Sequence, residues 1–208
     1  MYIDYSKYIL FLATTFIICI VPGPDMLYIL ANSIKDGAKA GVVSALGMAL
    51  GMLTYTIIAS TGLATCFLVS QKLFNIIQIL GGIYLLWIAY NTFKDESIIK
   101  SLDTESSISL RMIFKRAFTT NLLNPKIALF YIAFLPQFTT PELGNITFQL
   151  LFLGFSFLIL GLIIDSVIGI LSGNLSILLI KNAFIKKYLN KISSVIYVIL
   201  AIRLFYIF

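Results

Sequence analysis

Val21-Pro22-Gly23-Pro24-Asp25 and, about 101 residues later, Asn124-Pro125-Lys126 are the two stretches that decide the reading of this chain. Each interrupts a long apolar run with proline, which lacks the backbone N–H that a helix needs and clashes with the preceding turn. Each break lies in the first spanning segment of its half of the sequence, and a charged residue follows its last proline. Inside a bilayer, interrupted backbone is tolerated only where protein buries it or where it lines a cavity. A matched pair of such breaks points to a transport site between two repeats.

The surrounding composition sets the solvent. The chain is 60% hydrophobic and 12% charged, with mean hydropathy +1.00, whereas soluble domains carry about 25% charged residues. A bilayer, not a soluble core, accommodates that much apolar surface. Histidine is absent, which excludes imidazole metal sites and His-based acid–base catalysis. Cys19 and Cys66 have no CxxC spacing and read as packing residues. The net charge is +6, but the basic residues are scattered through short loops, a distribution that fits membrane topology and not a nucleic-acid surface. The N-terminus has no positive region followed by a small-residue cleavage site, so it is expected to be retained.

Six apolar segments are long enough to cross about 30 Å of hydrocarbon: 8–32, 39–69, 73–93, 115–138, 148–172 and 192–208. The second and third are expected to join through a turn at Ser70-Gln71-Lys72. Residues 94–116 read as a polar cytoplasmic loop, and 182–190 as a short interfacial segment with Phe184, Ile185 and Tyr188 facing lipid. One set of loops carries Lys35, Lys39, Lys94, Lys100, Arg111, Lys115, Arg116, Lys181, Lys186, Lys187 and Lys191, against Lys7 and Lys72 on the other side. That bias puts the first set in the cytoplasm and both termini outside. The expected fold is therefore an all-α membrane protein forming a single transmembrane domain over 1–208. It comprises repeat one (1–93), the loop (94–116) and repeat two (117–208). Three spans per half make the second half enter from the opposite face, giving a 3+3 inverted repeat with helices one and four broken.

Four side-chain groups carry the chemistry. Asp25 stands where a half-helix begins, so it either caps exposed N–H groups or binds an ammonium group or coupling cation, and the two roles are compatible. Asn124 and Pro125 suit the N-cap and first position of a second half-helix. Lys126 falls near mid-span, where lysine costs about 2.5–3.5 kcal/mol and needs a partner or a wet cavity. Asp25 holds the equivalent place in the other repeat. The two are expected across one central cavity, either paired, bridged by a zwitterionic ligand, or joined in a purely structural ion pair. Asp165 lies inside the fifth span and suits reversible protonation, or else partners Lys126 or a backbone donor. Arg203 is expected to snorkel to the outer interface. The glycines at 37, 41, 47, 51 and 62, and at 154, 161, 169 and 173, read as close-packing positions between helices. Tyr84, Trp87 and Tyr90 read as packing or interfacial anchors.

Taken together, Pro22-Gly23-Pro24-Asp25, the following glycines at 37, 41, 47 and 51, Gly62-Leu63, Gly81-Gly82-Ile83-Tyr84-Leu85, Asn121-Leu122-Leu123-Asn124-Pro125-Lys126 and Phe134-Leu135-Pro136-Gln137-Phe138 closely resemble the LysE/RhtB amino-acid exporter family. The resemblance covers nearly the whole chain and is least distinct over 173–208. Ala89 and Lys94 depart from it, where a glycine and an arginine are expected. It implies a multi-pass protein of the bacterial inner membrane that exports amino acids or close derivatives, driven by the proton gradient as an antiporter. It also implies site positions at Pro22, Gly23, Pro24, Asp25, Asn121, Asn124, Pro125 and Lys126, with Gln137 nearer the outer mouth.

Other classes fit less well. A heavy-metal cation exporter of the same superfamily lacks soft ligands here. An intramembrane enzyme lacks HExxH, CxxC and a nucleophile–base pair. A structural or receptor role leaves Lys126 and Asp25 unexplained. No cofactor is expected. The expected partners are a small amino-acid-like substrate, protons, the lipid bilayer and, where the glycine-bearing faces are not used up within the monomer, a second copy of the chain; no nucleic acid is expected.

Overall fold

The structure, a computed structural model, describes residues 3–63, 71–94, 109–181 and 183–205, and among these every regular element is helical. Cys66, the acidic stretch with Asp95, Glu96, Asp103 and Glu105, and the segment 64–70 lie outside the described residues.

The first break follows from the prolines. Helix α1 (Tyr5–Ile20) opens on Asp4, whose carboxylate accepts from Ser6 N and Lys7 N, and stops because Pro22 and Pro24 have no N–H to continue it. Helix α2 (Pro24–Asp36) restarts with proline at its first position and Gly23 as N-cap. The two meet at a bend of 53°. Gly37, at φ +84°, ends α2 in a backbone conformation that L side chains rarely adopt and turns the chain into α3 (Ala38–Ile58), which widens into a π-helical turn (Ala59–Leu63). Helix α4 (Gln71–Lys94) completes the first half.

In the second half, α5 (Leu110–Leu122) leads into the other break. The chain then continues through the single-turn α6 (Pro125–Leu129), a π-helical turn (Phe130–Phe134) and a 3-10 turn (Leu135–Phe138). Helices α7 (Ile146–Lys181) and α8 (Ala183–Phe205) close the fold. Ala38–Gly62 and Ile146–Ser172 are each long and apolar enough to cross a membrane, and the bent α1–α2 pair makes a third such unit among the described residues.

Three sequence expectations are corrected. The polar loop expected over 94–116 is shorter, because Ser109 caps α5 by accepting from Met112 N at 3.3 Å, and helix begins at Leu110. The turn expected at Ser70-Gln71-Lys72 already belongs to α4 from Gln71 onward. The interfacial segment expected over 182–190 continues, from Ala183, as the first turns of α8; Tyr188 is exposed there, while Asn182 and the side chains of Phe184 and Ile185 lie outside what is described. Arg203, expected at the outer interface, donates from its guanidinium to Thr14 Oγ1 at 3.5 Å and lies 4.9 Å from the Phe138 ring centre.

Packing explains the glycines at 41, 47, 51, 154, 161 and 169, whereas a Cβ at Gly37 or Gly62 would meet nothing within 4 Å, so the expected close packing is not found there. Helix α3 runs between α5 and α7 and touches both extensively, while α4 pairs with α8. A Cβ at Gly41 would meet the Gly169 backbone, one at Gly47 the Phe114 carbonyl and Ala117, and one at Gly154 the Thr56 side chain. These close approaches lie within the chain, as small-residue stripes between membrane helices permit. On one side of the breaks, Phe11, Phe130, Phe134, Phe138 and Phe157 form a buried aromatic cluster; Phe130 and Phe157 stack with centroids 4.4 Å apart.

Candidate functional site

Both breaks leave carbonyl oxygens without their helical partners, and the fold supplies donors from the opposite half. At the first break, the missing Pro22 N–H leaves the Ile18 carbonyl free, and the turn that follows frees Val21. Lys126, at the start of the second half-helix, donates from Nζ to Val21 O at 3.0 Å and to Ile18 O at 3.4 Å. Its third bond is the ion pair with Asp25 Oδ2 at 3.2 Å. An ammonium group has three donors, and here each has an acceptor.

The second break mirrors this arrangement. Asn124 caps α6 by accepting from Lys126 N at 3.0 Å, so Lys126 N no longer serves the Leu122 carbonyl. Tyr55, from α3, donates its hydroxyl to that carbonyl at 2.7 Å. The carbonyl left by Pro125, that of Asn121, accepts from Asn124 N at 3.0 Å. Each broken helix of one half is thus finished by a side chain of the other.

Lys126 and Asp25 are each 5% exposed. Burying two charges is costly, and their attraction offsets that cost only when other hydrogen bonds complete the shell. Lys126 meets that condition. Asp25 meets it in part, since Oδ1 has no hydrogen-bond partner among the described residues. The approach is close because residue 23 has no side chain: a Cβ there would lie 2.7 Å from Asp25 Oδ1 and 3.1 Å from Lys126 Nζ. The backbone at Gly23 is extended, so the glycine is required by space and not by dihedral angles.

A cavity of about 320 Å³ opens beside this pair. Its walls include Pro22, Gly23, Pro24, Asn124, Pro125 and Lys126 from the two breaks. Leu27 of α2, Trp87, Ile88, Asn91 and Thr92 of α4, and Tyr197 of α8 form the rest. Sequence reasoning missed these last six. Trp87 with Asn91, and Ile88 with Thr92, are spaced one helical turn apart, but nothing local distinguishes that face of α4 from its lipid-facing neighbours. The first positions of α2 and α6, Pro24 and Pro125, both border the cavity with their positively polarised ends, and Lys126 lines it while its ammonium turns to Val21, Ile18 and Asp25.

The remaining candidates fall behind this wall. Asp25 does not line the cavity, although its neighbours Gly23 and Pro24 do. Asp165 of α7 is buried, its Oδ2 has no hydrogen-bond partner among the described residues, and it lies within electrostatic range of both Asp25 and Lys126. Asn121 is fully buried against Gly51, and both its side-chain polar atoms are likewise unpaired. Gln137 donates to Ala133 O and sits away from the cavity, next to the aromatic cluster. Among the described residues, no group of three His, Cys, Asp or Glu side chains could hold a metal ion.

Comparison with known proteins adds a lineage. The sequence signature described as LysE type translocator matches residues 16–207. Proteins named leucine efflux protein, from Salmonella choleraesuis and Salmonella typhimurium, are 36% identical over 153 residues, which is 69% of this chain and 71% of theirs. Another of that name, from Klebsiella pneumoniae, is 34% identical over 135 residues, or 64% of this chain and 63% of its own length. No solved structure matches.

Proposed function

The chain belongs to the LysE type translocator family, and from that premise we propose that it is a membrane-embedded secondary exporter of amino acids, working at the bacterial plasma membrane. The observation that carries the reading is the site itself: a buried Asp25–Lys126 pair at the wall of a cavity where two broken helices meet. A zwitterion offers the complement of that site. Its carboxylate suits Lys126 and the N-terminal ends of α2 and α6, and its ammonium suits Asp25 and the carbonyl end of α1. The relatives' names make leucine the first substrate to try, and the apolar walls from Leu27, Ile88 and Trp87 suit a side chain of that kind.

In this reading six spans form two inverted repeats, with the lysine-rich loops in the cytoplasm and both termini outside. The cavity, bordered by the last turns of α4, then faces the cytoplasm, and the aromatic cluster around Phe130 closes the outward route. Asp165 carries the coupling proton, since among the described residues it is the buried carboxylate without an ion-pair partner of its own. The test is efflux of labelled leucine and a panel of other amino acids from cells with and without the chain, each with and without an uncoupler. Equal efflux in both strains would defeat the exporter reading; uncoupler-insensitive efflux would defeat only proton coupling.

A further inference from the structure

The ammonium of Lys126 sits in a cradle whose chemistry is not particular to lysine. Its three acceptors are Val21 O at 3.0 Å, Asp25 Oδ2 at 3.2 Å and Ile18 O at 3.4 Å. Two are carbonyls at the C-terminal end of α1, where the helix dipole is negative, and the third is a carboxylate. Any primary ammonium of similar size satisfies them. The cradle adjoins the cavity: Gly23 and Lys126 both line the cavity, and a Cβ at Gly23 would stand 2.7 Å from Asp25 Oδ1 and 3.1 Å from Lys126 Nζ. Asp25 Oδ1, buried beside it, has no partner among the described residues and is available to a second donor.

We infer that Lys126 is a tethered stand-in for the substrate's ammonium group, occupying the cradle when the carrier is empty and yielding it when an amino acid binds. This rests on the exporter reading above. On loading, the substrate ammonium takes the three acceptors, and the Lys126 ammonium moves into the adjoining cavity to meet the substrate carboxylate. No bond forms or breaks. One cation faces Asp25 in both states, so Asp25 is never left uncompensated, whether the carrier moves loaded or empty. The lysine therefore permits the empty return step that net export requires.

Removing the tether separates the two half-cycles. In Lys126→Met the loaded carrier still has a cation at Asp25, but the empty one does not. Proteoliposomes and labelled leucine read both: net efflux into leucine-free medium, and exchange between leucine-loaded vesicles and leucine outside. Net efflux is expected to fall by at least about a hundredfold, the lower end of the scale set by an unpaired buried charge. Exchange at saturating leucine persists, with a raised KM because the carboxylate partner is gone. The neutral double variant, Asp25→Asn with Lys126→Met, loses both activities, since the cradle itself is dismantled. Loss of exchange as complete as the loss of net efflux in a well-inserted Lys126→Met protein would overturn the inference. So would recovery of net efflux in the double variant, the outcome a purely structural ion pair requires. Should Lys126→Met fail to insert, the double variant decides alone. A wild-type protein that moves none of the amino acids in either assay defeats the exporter reading instead, a result distinct from any of these.

Discussion

Gly23→Ala is the smallest change that reaches the centre of the site. The added methyl would stand 2.7 Å from Asp25 Oδ1, 3.1 Å from Lys126 Nζ and 3.3 Å from Lys126 Cε. The extended backbone at residue 23 accepts alanine without strain, so the whole effect is steric. A carboxylate oxygen at that distance must retreat by several tenths of an ångström. It has little room, because Asp25 is held through Oδ2 by an ammonium that is itself fixed by Val21 O and Ile18 O. Overpacking a close-fitted site costs about 1–3 kcal/mol, and each 1.4 kcal/mol is tenfold, so export is expected to slow by about 5- to 150-fold. The midpoint of thermal unfolding in detergent falls by a few degrees, at about 2–4 °C per kcal/mol for a chain of this size. Initial rates of labelled leucine efflux from proteoliposomes, beside the unfolding midpoint, provide the measurement. Wild-type efflux together with a wild-type midpoint would show that nothing is crowded at residue 23, and the proposed contact between cradle and cavity would go with it.

Tyr55→Phe keeps the ring that stacks on Tyr131 but removes the hydroxyl from the half-buried Leu122 carbonyl; the loss of one such hydrogen bond costs about 0.5–1.5 kcal/mol, read as a lowered unfolding midpoint and slower efflux. Gly41→Val drives a side chain into the Gly169 backbone, 2.8 Å from its Cα, and is expected to disrupt the α3–α7 crossing, whereas Gly62→Ala meets nothing within 4 Å and leaves the midpoint unchanged. Asp165→Asn preserves shape but cannot exchange a proton. Efflux down a leucine gradient should continue in it while the acceleration by an imposed proton gradient disappears; persistence of that acceleration would remove Asp165 from the coupling step.

The helix breaks were legible in the sequence because their cause is covalent. Pro22, Pro24 and Pro125 lack an N–H wherever the chain goes, and Asn124 caps the residue two positions on through a bond that closes locally. Mid-span placement of Lys126 and Asp165 in apolar runs also flagged them, since hydrocarbon makes unpartnered charge expensive. Helix ends set by weaker local signals were read less well: the Ser109 cap moved the start of α5 into the expected loop, and the expected interfacial segment was absorbed into α8.

Tertiary structure alone decided which donor completes which carbonyl. Ile18 and Lys126 are 108 positions apart, and Tyr55 and Leu122 are 67 apart, so no local pattern could pair them. The same is true of the cavity wall, where ordinary-looking residues of α4 and α8 gain a role only by facing the two breaks. Sequence determines where backbone hydrogen bonding must fail, because that is a property of single residues. The folded arrangement determines how each failure is compensated, because that depends on which side chain arrives within about 3 Å from the other half of the molecule.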